Sequence, residues 1–442
     1  MMARLQAARL ALLKRLRGDP RCACGLLPAE HNRMGSVRQL LVDVSVIHRH
    51  DARTGIQRVV RALLLQLVGH RIEDYVIRPV FATASQGYRY ARPDFLDAHA
   101  DRDANDAIGI AEEPVRVNKG DIFLGLDLAA NLLPRHQNQI RCWKTHGVSV
   151  HILVYDLLPI VQGRWFHRRT RQHFVRWLRF ILRYADGVVC ISEQVQSDFR
   201  VALAAHSGES RSIRINKIGL SGDVRGSAPS RGLPADASAL CALLQTGPVA
   251  LMVGTVEPRK GYDRALAAFE RLWALEPAVP RRLVIAGKAG WKTQGLQRLL
   301  RNHPEAGKRL FWLENASDEY VELLYQKATG VLVTSHAEGY GLPLIEACAQ
   351  GKPVLARDLA VFREFQHPGI QFFMDDRSQP LAERISAWLG SAGQVVALPG
   401  ALPLPDWANA RKELLQAIGV VIPPAPIDGA PAQDRIIRAA AR

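Results

Sequence analysis

Residues Gly330 to Ala347, GVLVTSHAEGYGLPLIEA, carry the chain from strand to helix through one turn. Val331-Leu332-Val333 is a short continuous apolar run of the kind buried in a parallel sheet. Glu338-Gly339-Tyr340-Gly341 then turns the chain. Pro343 suits the first turn of the helix that follows, where a missing N–H is no loss. A strand that feeds a glycine turn into a helix leaves unpaired amides and a positive dipole end facing outward, a ready site for phosphate. Glu338 before the turn and Glu346 one helical turn inside bracket that site. A carboxylate beside an anion site does not hold the anion; it accepts hydrogen bonds from hydroxyls, as sugars and ribose offer.

A chain of 442 residues is too long for one ordinary core and implies two domains of roughly 200 residues each. Hydrophobic content of 48% with 23% charged residues excludes disorder. No apolar run reaches the roughly 18 residues of a membrane span. The N-terminus is interrupted by Arg and Lys and lacks the apolar core of a secretory signal. Cys190 and Cys348 fall in apolar surroundings, where reduced core thiols are the rule, and Cys22-x-Cys24 has no matching pair for a metal. These features together fit a cytoplasmic protein. The net charge of +16 implies an anionic partner (nucleic acid, a membrane surface or a phosphorylated substrate) or else an Arg-rich solvated surface.

Residues 1–36 read as a basic extension. Its first 20 residues, MMARLQAARLALLKRLRGDP, mix Leu with Arg and Lys and would suit an anionic membrane interface or a frayed end preceding Met34. The folded body begins at residue 37 with the strand Leu40–Val46. Thr54-Gly55 opens the helix of Val59, Val60, Leu63, Leu64 and Leu67. Strands at Tyr75–Phe81, Asp121–Leu126, Val148–Tyr155 and Gly187–Ile191 follow, with helices between some of them. That alternation describes a doubly wound α/β domain over 37–218, which binds ligands at the carboxyl ends of its strands. Asp156 and Ser192 stand at such ends. Between Arg164 and Arg183 lie seven arginines, two histidines and no acid. Phe174, Trp177, Leu178 and Ile181 share the core face of this helix. Arg164, Trp165, Arg168, Arg169 and Arg176 remain for a patch that meets acidic head groups or a lipid diphosphate, with Trp165 and Phe166 at that interface; a plain solvated face is the alternative. Nucleic acid could use the same chemistry, but no DNA- or RNA-binding motif is present, so none is expected as a partner.

Residues 219–247 have the composition of a linker. A second domain, 248–405, opens on the strand Val249–Val253 and the turn Glu257-Pro258-Arg259-Lys260-Gly261. Adjacent cations there would stabilise charge that grows on a departing diphosphate, Arg as a fork and Lys as a point charge. A last helix at 406–420 and a Pro/Ala-rich tail at 421–442 complete the chain. No metal-binding Asp-x-Asp stands out.

The Glu338-x7-Glu346 spacing with Gly-x-Gly-Leu-Pro inside it, together with EPRKG and TGIQRVVR, resembles retaining glycosyltransferases of family 4, and in detail the mannosyltransferases of bacterial O-antigen and exopolysaccharide assembly. The resemblance implies a GT-B fold, two facing Rossmann-like domains with a cleft between them. It implies a nucleotide-sugar donor, GDP-mannose for a mannosyltransferase, and no metal or other cofactor. Gly55, Arg259, Lys260, Glu338, Gly339, Tyr340, Gly341, Leu342 and Glu346 would then bind the donor, and Arg259, Lys260, Glu338 and Asp156 would serve catalysis. The acceptor would be a glycan or lipid-linked glycan at the inner face of the cytoplasmic membrane, an anionic surface. Tyr155 occupies the place of a family histidine that contacts the donor sugar, where its phenol would either replace the imidazole as hydrogen-bond donor or pack. A dTDP-rhamnose or UDP-hexose donor, or a non-catalytic GT-B scaffold on an anionic surface, are the alternatives.

Overall fold

Short apolar runs of four to seven residues set the architecture, because parallel strands covered on both faces need no polar side. The computed structural model describes residues 25–26, 37–92, 95–96, 113–205, 212–391 and 404–421. The basic stretch of residues 1–20, the Cys22-x-Cys24 pair and the tail from Ile422 lie outside the described residues.

The first sheet contains β1 (Arg38–Asp43), β2 (Tyr75–Phe81), β3 (Arg89–Tyr90), β4 (Ile122–Gly125), β5 (Ser149–Val154), β6 (Gly187–Cys190) and β7 (Arg214–Lys217). Their order across the sheet is β3-β2-β1-β4-β5-β6-β7, parallel throughout except for the β2–β3 pair. The second sheet contains β8 (Val249–Val253), β9 (Arg282–Ala286), β10 (Leu310–Leu313), β11 (Gly330–Val333), β12 (Val354–Arg357) and β13 (Ile370–Phe373). Its order is β10-β9-β8-β11-β12-β13, all parallel. In each sheet the order reverses beside the first strand, which opens a crevice at the carboxyl edge. In the second sheet that crevice lies between β8 and β11.

Alternation along the strands sorts their side chains into two cores. Ala250, Met252, Leu283, Ile285, Leu332 and Leu355 face one way and pack with Phe269 and Trp273 of α1 (Tyr262–Leu275) and with Leu381, Ile385 and Trp388. Leu251, Val284, Val331, Val333 and Val354 face the other way and join a cluster continuous with the core of the first domain. The domains therefore share buried apolar surface and do not merely touch at a hinge.

The region between the sheets is more ordered than its composition suggests. Residues Ala237–Leu244 form a helix that buries Leu240, Cys241 and Leu244. Beyond the second sheet, the helix Trp407–Ala417 is capped by Asp406, whose side chain accepts from the Asn409 amide. It returns to the first domain: Glu413 accepts from the Gly219 amide at 2.8 Å, and the Asn216 amide group donates to the Ala417 carbonyl at 3.1 Å. The first strand stops at Asp43, short of Val46, because Asp43 and Asp127 accept from the Ser45, Val46 and Ile47 amides and start a helical turn, Ser45–Arg49. Cys190, Cys241 and Cys348 are free and buried. The reduced state expected of Cys190 and Cys348 is thus what the structure has, whereas Cys142 is disulfide-bonded.

Burial raises the carboxyls of Asp43 and Asp127 to about 6 and about 7, against hydrogen bonds that pull the other way. A carboxyl raised on folding contributes stability that is full below its unfolded value near 4 and is lost as pH rises through the folded value. His151, pushed down to about 4 by burial, titrates in the opposite sense over the same range. The clean measurement is thus a difference between proteins. Asp43→Asn keeps the Ser45 contacts through its carbonyl and lets the Tyr88 phenol accept. Its urea stability should gain on the parent as pH rises from about 4 to about 6. A gap independent of pH would contradict the assignment.

Candidate active site

Two turns at the crevice of the second sheet are tied into one unit. The Thr334 hydroxyl at the end of β11 donates to the carbonyls of Lys260 and Gly261 at 2.8 and 2.9 Å. The His336 amide donates to the Arg259 carbonyl at 2.7 Å, and the Arg259 guanidinium returns a bond to the Ala337 carbonyl at 2.9 Å. The segment Pro258–Lys260 is a single 3-10 turn ended by Gly261 at φ +69°. Its brevity aims both cations back over the sheet edge.

Glu338 lies between them. Its Oε2 accepts from Arg259 Nη1 at 2.5 Å, and its Oε1 accepts from Lys260 Nζ at 2.6 Å and from Ser335 Oγ at 2.7 Å. Arg259 Nη2 also meets Glu257 Oε1 at 2.6 Å. Burial opposes the charge on Glu338, yet Arg259 and Lys260 outweigh it and hold the carboxyl down to about 2. Glu257 is driven the other way, upward, because burial outweighs Arg259 and Lys260 there. The result is a buried, charge-balanced cluster of two cations and two acids. Asp156, raised by burial against the pull of Arg259, adjoins it and accepts from the Leu158 amide at 3.0 Å.

The glycine turn carries the second domain against the first. A side chain at Gly339 would sit 2.2 Å from the Tyr155 carbonyl, so only glycine allows that approach, and the Ser192 hydroxyl donates to the Gly339 carbonyl at 2.8 Å. Gly341 takes φ +113° and would push a Cβ to 2.6 Å from the Phe362 ring. It caps α2 (Leu342–Ala349), in whose first turn Pro343 sits. The amides of Gly341 and Leu342 thus stand at the open, positive end of that helix. Across the cleft is Gly55, the first residue of α3, the first-domain helix Gly55–Val68. A Cβ there would reach Leu342 at 3.2 Å.

A cavity of about 380 Å³ connects these groups, lined among others by Gly55, Asp156, Arg259, Lys260, Glu338, Gly341, Leu342 and Glu346. Lys288 and Trp291, from the loop after β9, also line it. Every residue read from the sequence as catalytic or donor-binding falls on this one cavity. Two details differ from expectation, and one open alternative is decided. The Tyr340 phenol is turned onto the interdomain segment, donating to the Leu220 carbonyl at 2.8 Å and accepting the Leu220 amide at 2.6 Å. Tyr155 is 2% exposed and its phenol donates to the Leu126 carbonyl at 2.8 Å, so it packs instead of replacing an imidazole. Trp165 and Phe166 are half-buried against the second domain and do not form a free outer anchor. The Trp291 indole donates to the Trp165 carbonyl at 2.9 Å, the Trp165 ring stacks on His336 at 6.1 Å, and Phe166 lies 5.9 Å from Trp291. They pack across the domain junction against Trp291 and His336. Arg164, Arg168, Arg169 and Arg176 are exposed. Arg164 covers the Trp165 ring at 4.7 Å.

Sequence reading passed over Arg58, Glu257, Asp318 and Tyr325. Arg58 bridges Asp318 and Glu346, and the Tyr325 phenol donates to Glu346 at 2.8 Å. Arg58 lies one turn after Gly55 in TGIQRVVR, which was the available signal. Asp318 resembles an ordinary first-turn acid and gave none. Among the described residues no group of three or more His, Cys, Asp or Glu side chains could hold a metal ion. No helix among them is long and apolar enough to cross a membrane.

Residues 242–394 match the family model described as glycosyl transferases group 1. Over 355 residues the chain is 37% identical to the serotype-specific mannosyltransferase WbdA of Escherichia coli, an alignment that covers 80% of this chain and 43% of that protein. The chain thus spans less than half the length of this relative. Among solved structures, Anabaena Alr3699/HepE in complex with UDP-glucose superposes with a TM-score of 0.54 at 17% identity, covering 86% of this chain and 96% of that one. Sucrose-phosphate synthase from Thermosynechococcus elongatus gives 0.54 at 16% identity, covering 86% and 94%. At such identities the likeness establishes the fold. The chain has the two-domain GT-B fold, and its residues 242–394 form a glycosyl transferases group 1 domain.

Proposed function

We propose that this protein is a retaining glycosyltransferase that moves mannose from GDP-mannose to a growing, lipid-linked bacterial surface polysaccharide. The observation that carries the reading is the convergence of Arg259, Lys260 and Glu338 with the open helix end at Gly341 and Leu342 on one cavity. The choice of mannose rests on the likeness to the mannosyltransferase WbdA, and that of the polysaccharide on the likeness to the O-antigen chain mannosyltransferase B of Escherichia coli, 33% identical over 118 residues.

In this reading the diphosphate lies against Arg259, Lys260 and the amides of Gly341 and Leu342. Negative charge gathers on it as the sugar bond breaks, and cations already fixed in a buried site stabilise that charge without reorganising. The acceptor hydroxyl attacks on the face from which the diphosphate leaves, and a phosphate oxygen takes its proton. Glu338 holds the sugar hydroxyls, Glu346 holds the ribose, and Asp156, close to Arg259 and Glu338, positions donor or acceptor. No metal takes part, since the two cations do its work on the leaving group. Arg164, Arg168, Arg169 and Arg176, all exposed within one segment, meet the anionic membrane surface that carries the acceptor.

Thermal denaturation with sugar nucleotides tests the donor. GDP-mannose at about one hundred times its dissociation constant should stabilise the protein by about 3 kcal/mol through mass action, and UDP-glucose or dTDP-rhamnose at equal concentration by much less. A larger shift with UDP or dTDP sugars would reassign the donor, and no shift with any of them would remove the enzymatic reading. Lys260→Ala should lower mannose transfer about a hundredfold or more while circular dichroism stays that of the parent. Glu338→Gln, which leaves two buried cations without their shared carboxylate, should also lower the melting temperature, and GDP should restore most of the loss by supplying negative charge. Turnover near the parent's in both variants would remove these residues from catalysis.

A further inference from the structure

Arg58 is one of the side chains that reach from the first domain into the second. Arg58, in the first turn of α3, donates from Nη2 to Asp318 Oδ1 at 2.8 Å and from Nη1 to Glu346 Oε1. Asp318 begins the helix Asp318–Lys327, and Glu346 lies on α2. Both carboxylates belong to the second domain, and all three residues line the cavity. The other oxygen of Glu346 accepts the Tyr325 phenol at 2.8 Å. Its carboxylate is therefore fixed from both sides, while each oxygen keeps a lone pair for a further donor. Asp318 is held in turn by the Ser230 amide and hydroxyl at 2.8 and 2.9 Å.

A comparison within the same helix separates this arrangement from ordinary structural pairing. Arg61, about one turn further on, pairs with Asp51 and donates to the Ser227 carbonyl at 3.0 Å. Those partners fasten α3 within its own domain and to the interdomain segment, and Arg61 is not among the residues lining the cavity. Arg58 is directed into the cavity, onto carboxylates that a ligand can also reach. A buried guanidinium forked between two acids sets both geometry and charge. Without it, Glu346, 2% exposed, would be a buried carboxylate lacking a counter-charge.

We infer that Arg58 is a positioning residue of the nucleoside subsite: it aims the Glu346 carboxylate at the ribose hydroxyls and makes that grip depend on the first domain being docked. This rests on the ribose role proposed above for Glu346. By linkage, a nucleoside diphosphate then favours the docked arrangement, and docking tightens the nucleoside diphosphate by the same factor.

The test is calorimetric titration of the full chain with GDP, with 2′,3′-dideoxy-GDP and with inorganic pyrophosphate, or the uridine pair should the donor screen select it. The parent should prefer the ribonucleotide by about tenfold or more, the scale of hydrogen bonds to a charged acceptor. In Arg58→Ala and Arg58→Lys that preference should fall to about twofold or less, with pyrophosphate affinity unchanged because Arg259 and Lys260 are untouched. Lysine keeps a cation at the junction and guards against misfolding, but it cannot fork two carboxylates. Retention of the preference in both variants, or equal loss of GDP and pyrophosphate affinity, would overturn the inference. Glu346→Gln separates the two levels: a parent with no ribose preference, or a Glu346→Gln variant that keeps it, would refute the ribose role itself and the inference with it.

Discussion

Two cations held a few ångströms apart in a buried cleft repel one another and lose their hydration, so the site depends on what neutralises them. Glu338 does so for Arg259 and Lys260 together, and Glu257 supplies a second acid to Arg259. Much of the surrounding backbone serves that cluster. The 3-10 turn at Pro258–Lys260, the Thr334 hydroxyl, the His336 amide and the glycine turn all fix where three charged side chains end. Removing one partner from such a buried group is costly because the other charge stays behind. A phosphorylated ligand avoids that penalty by bringing negative charge of its own.

The same cluster would let one carboxylate serve both the cations and, under the proposed reaction, the sugar. In the structure Glu338 accepts from Arg259, Lys260 and Ser335. Under the proposed reaction, a diphosphate that takes the cations relieves Glu338 of its role as counter-ion, and lone pairs become available to hydroxyls in the adjoining space. Glu338 would then be a substitute for the diphosphate before the donor arrives and a hydroxyl acceptor afterwards. Glu346 differs, because Arg58 and Tyr325 fix it from the protein side and no ligand is needed to balance it.

What could be read in the sequence was local. The strand at Val331–Val333, the glycine turn, Pro343 in the first turn of the helix and the EPRKG turn each announce themselves within about ten residues, because strand burial and helix starts depend on near neighbours. Placement across domains was not legible. Tyr340 stands inside the motif, yet its phenol belongs to Leu220, more than a hundred residues away. Trp165 and Phe166 have the composition of an interfacial anchor, but Trp291 and His336 of the other domain claim them. Tyr155 breaks the family pattern by residue type, and only its distant partner Leu126 shows that it packs. Such pairings depend on how two sheets face each other, which no periodicity encodes.

The domain junction itself is part of the chemistry. Gly339 rests against the Tyr155 backbone, Lys288 Nζ donates to the Ala52 carbonyl at 2.9 Å, Lys292 Nζ donates to the Arg164 and Phe166 carbonyls at 3.0 Å, and Arg58 spans to Asp318 and Glu346. Three of these four contacts put a cation of one domain onto acceptors of the other, and two of them, those of Lys288 and Arg58, lie on a single cavity. Cations aimed at neutral carbonyls form bonds weaker than those they would make with a phosphate or carboxylate. An anionic ligand entering the cleft can therefore draw Lys288 away from Ala52 at little expense, whereas Arg58, held by two acids, stays in place. The junction thus combines a fixed contact at the proposed nucleoside end with exchangeable ones at its rim, which is the distribution of strength a cleft needs if it is to admit a charged substrate without losing the register of its two halves.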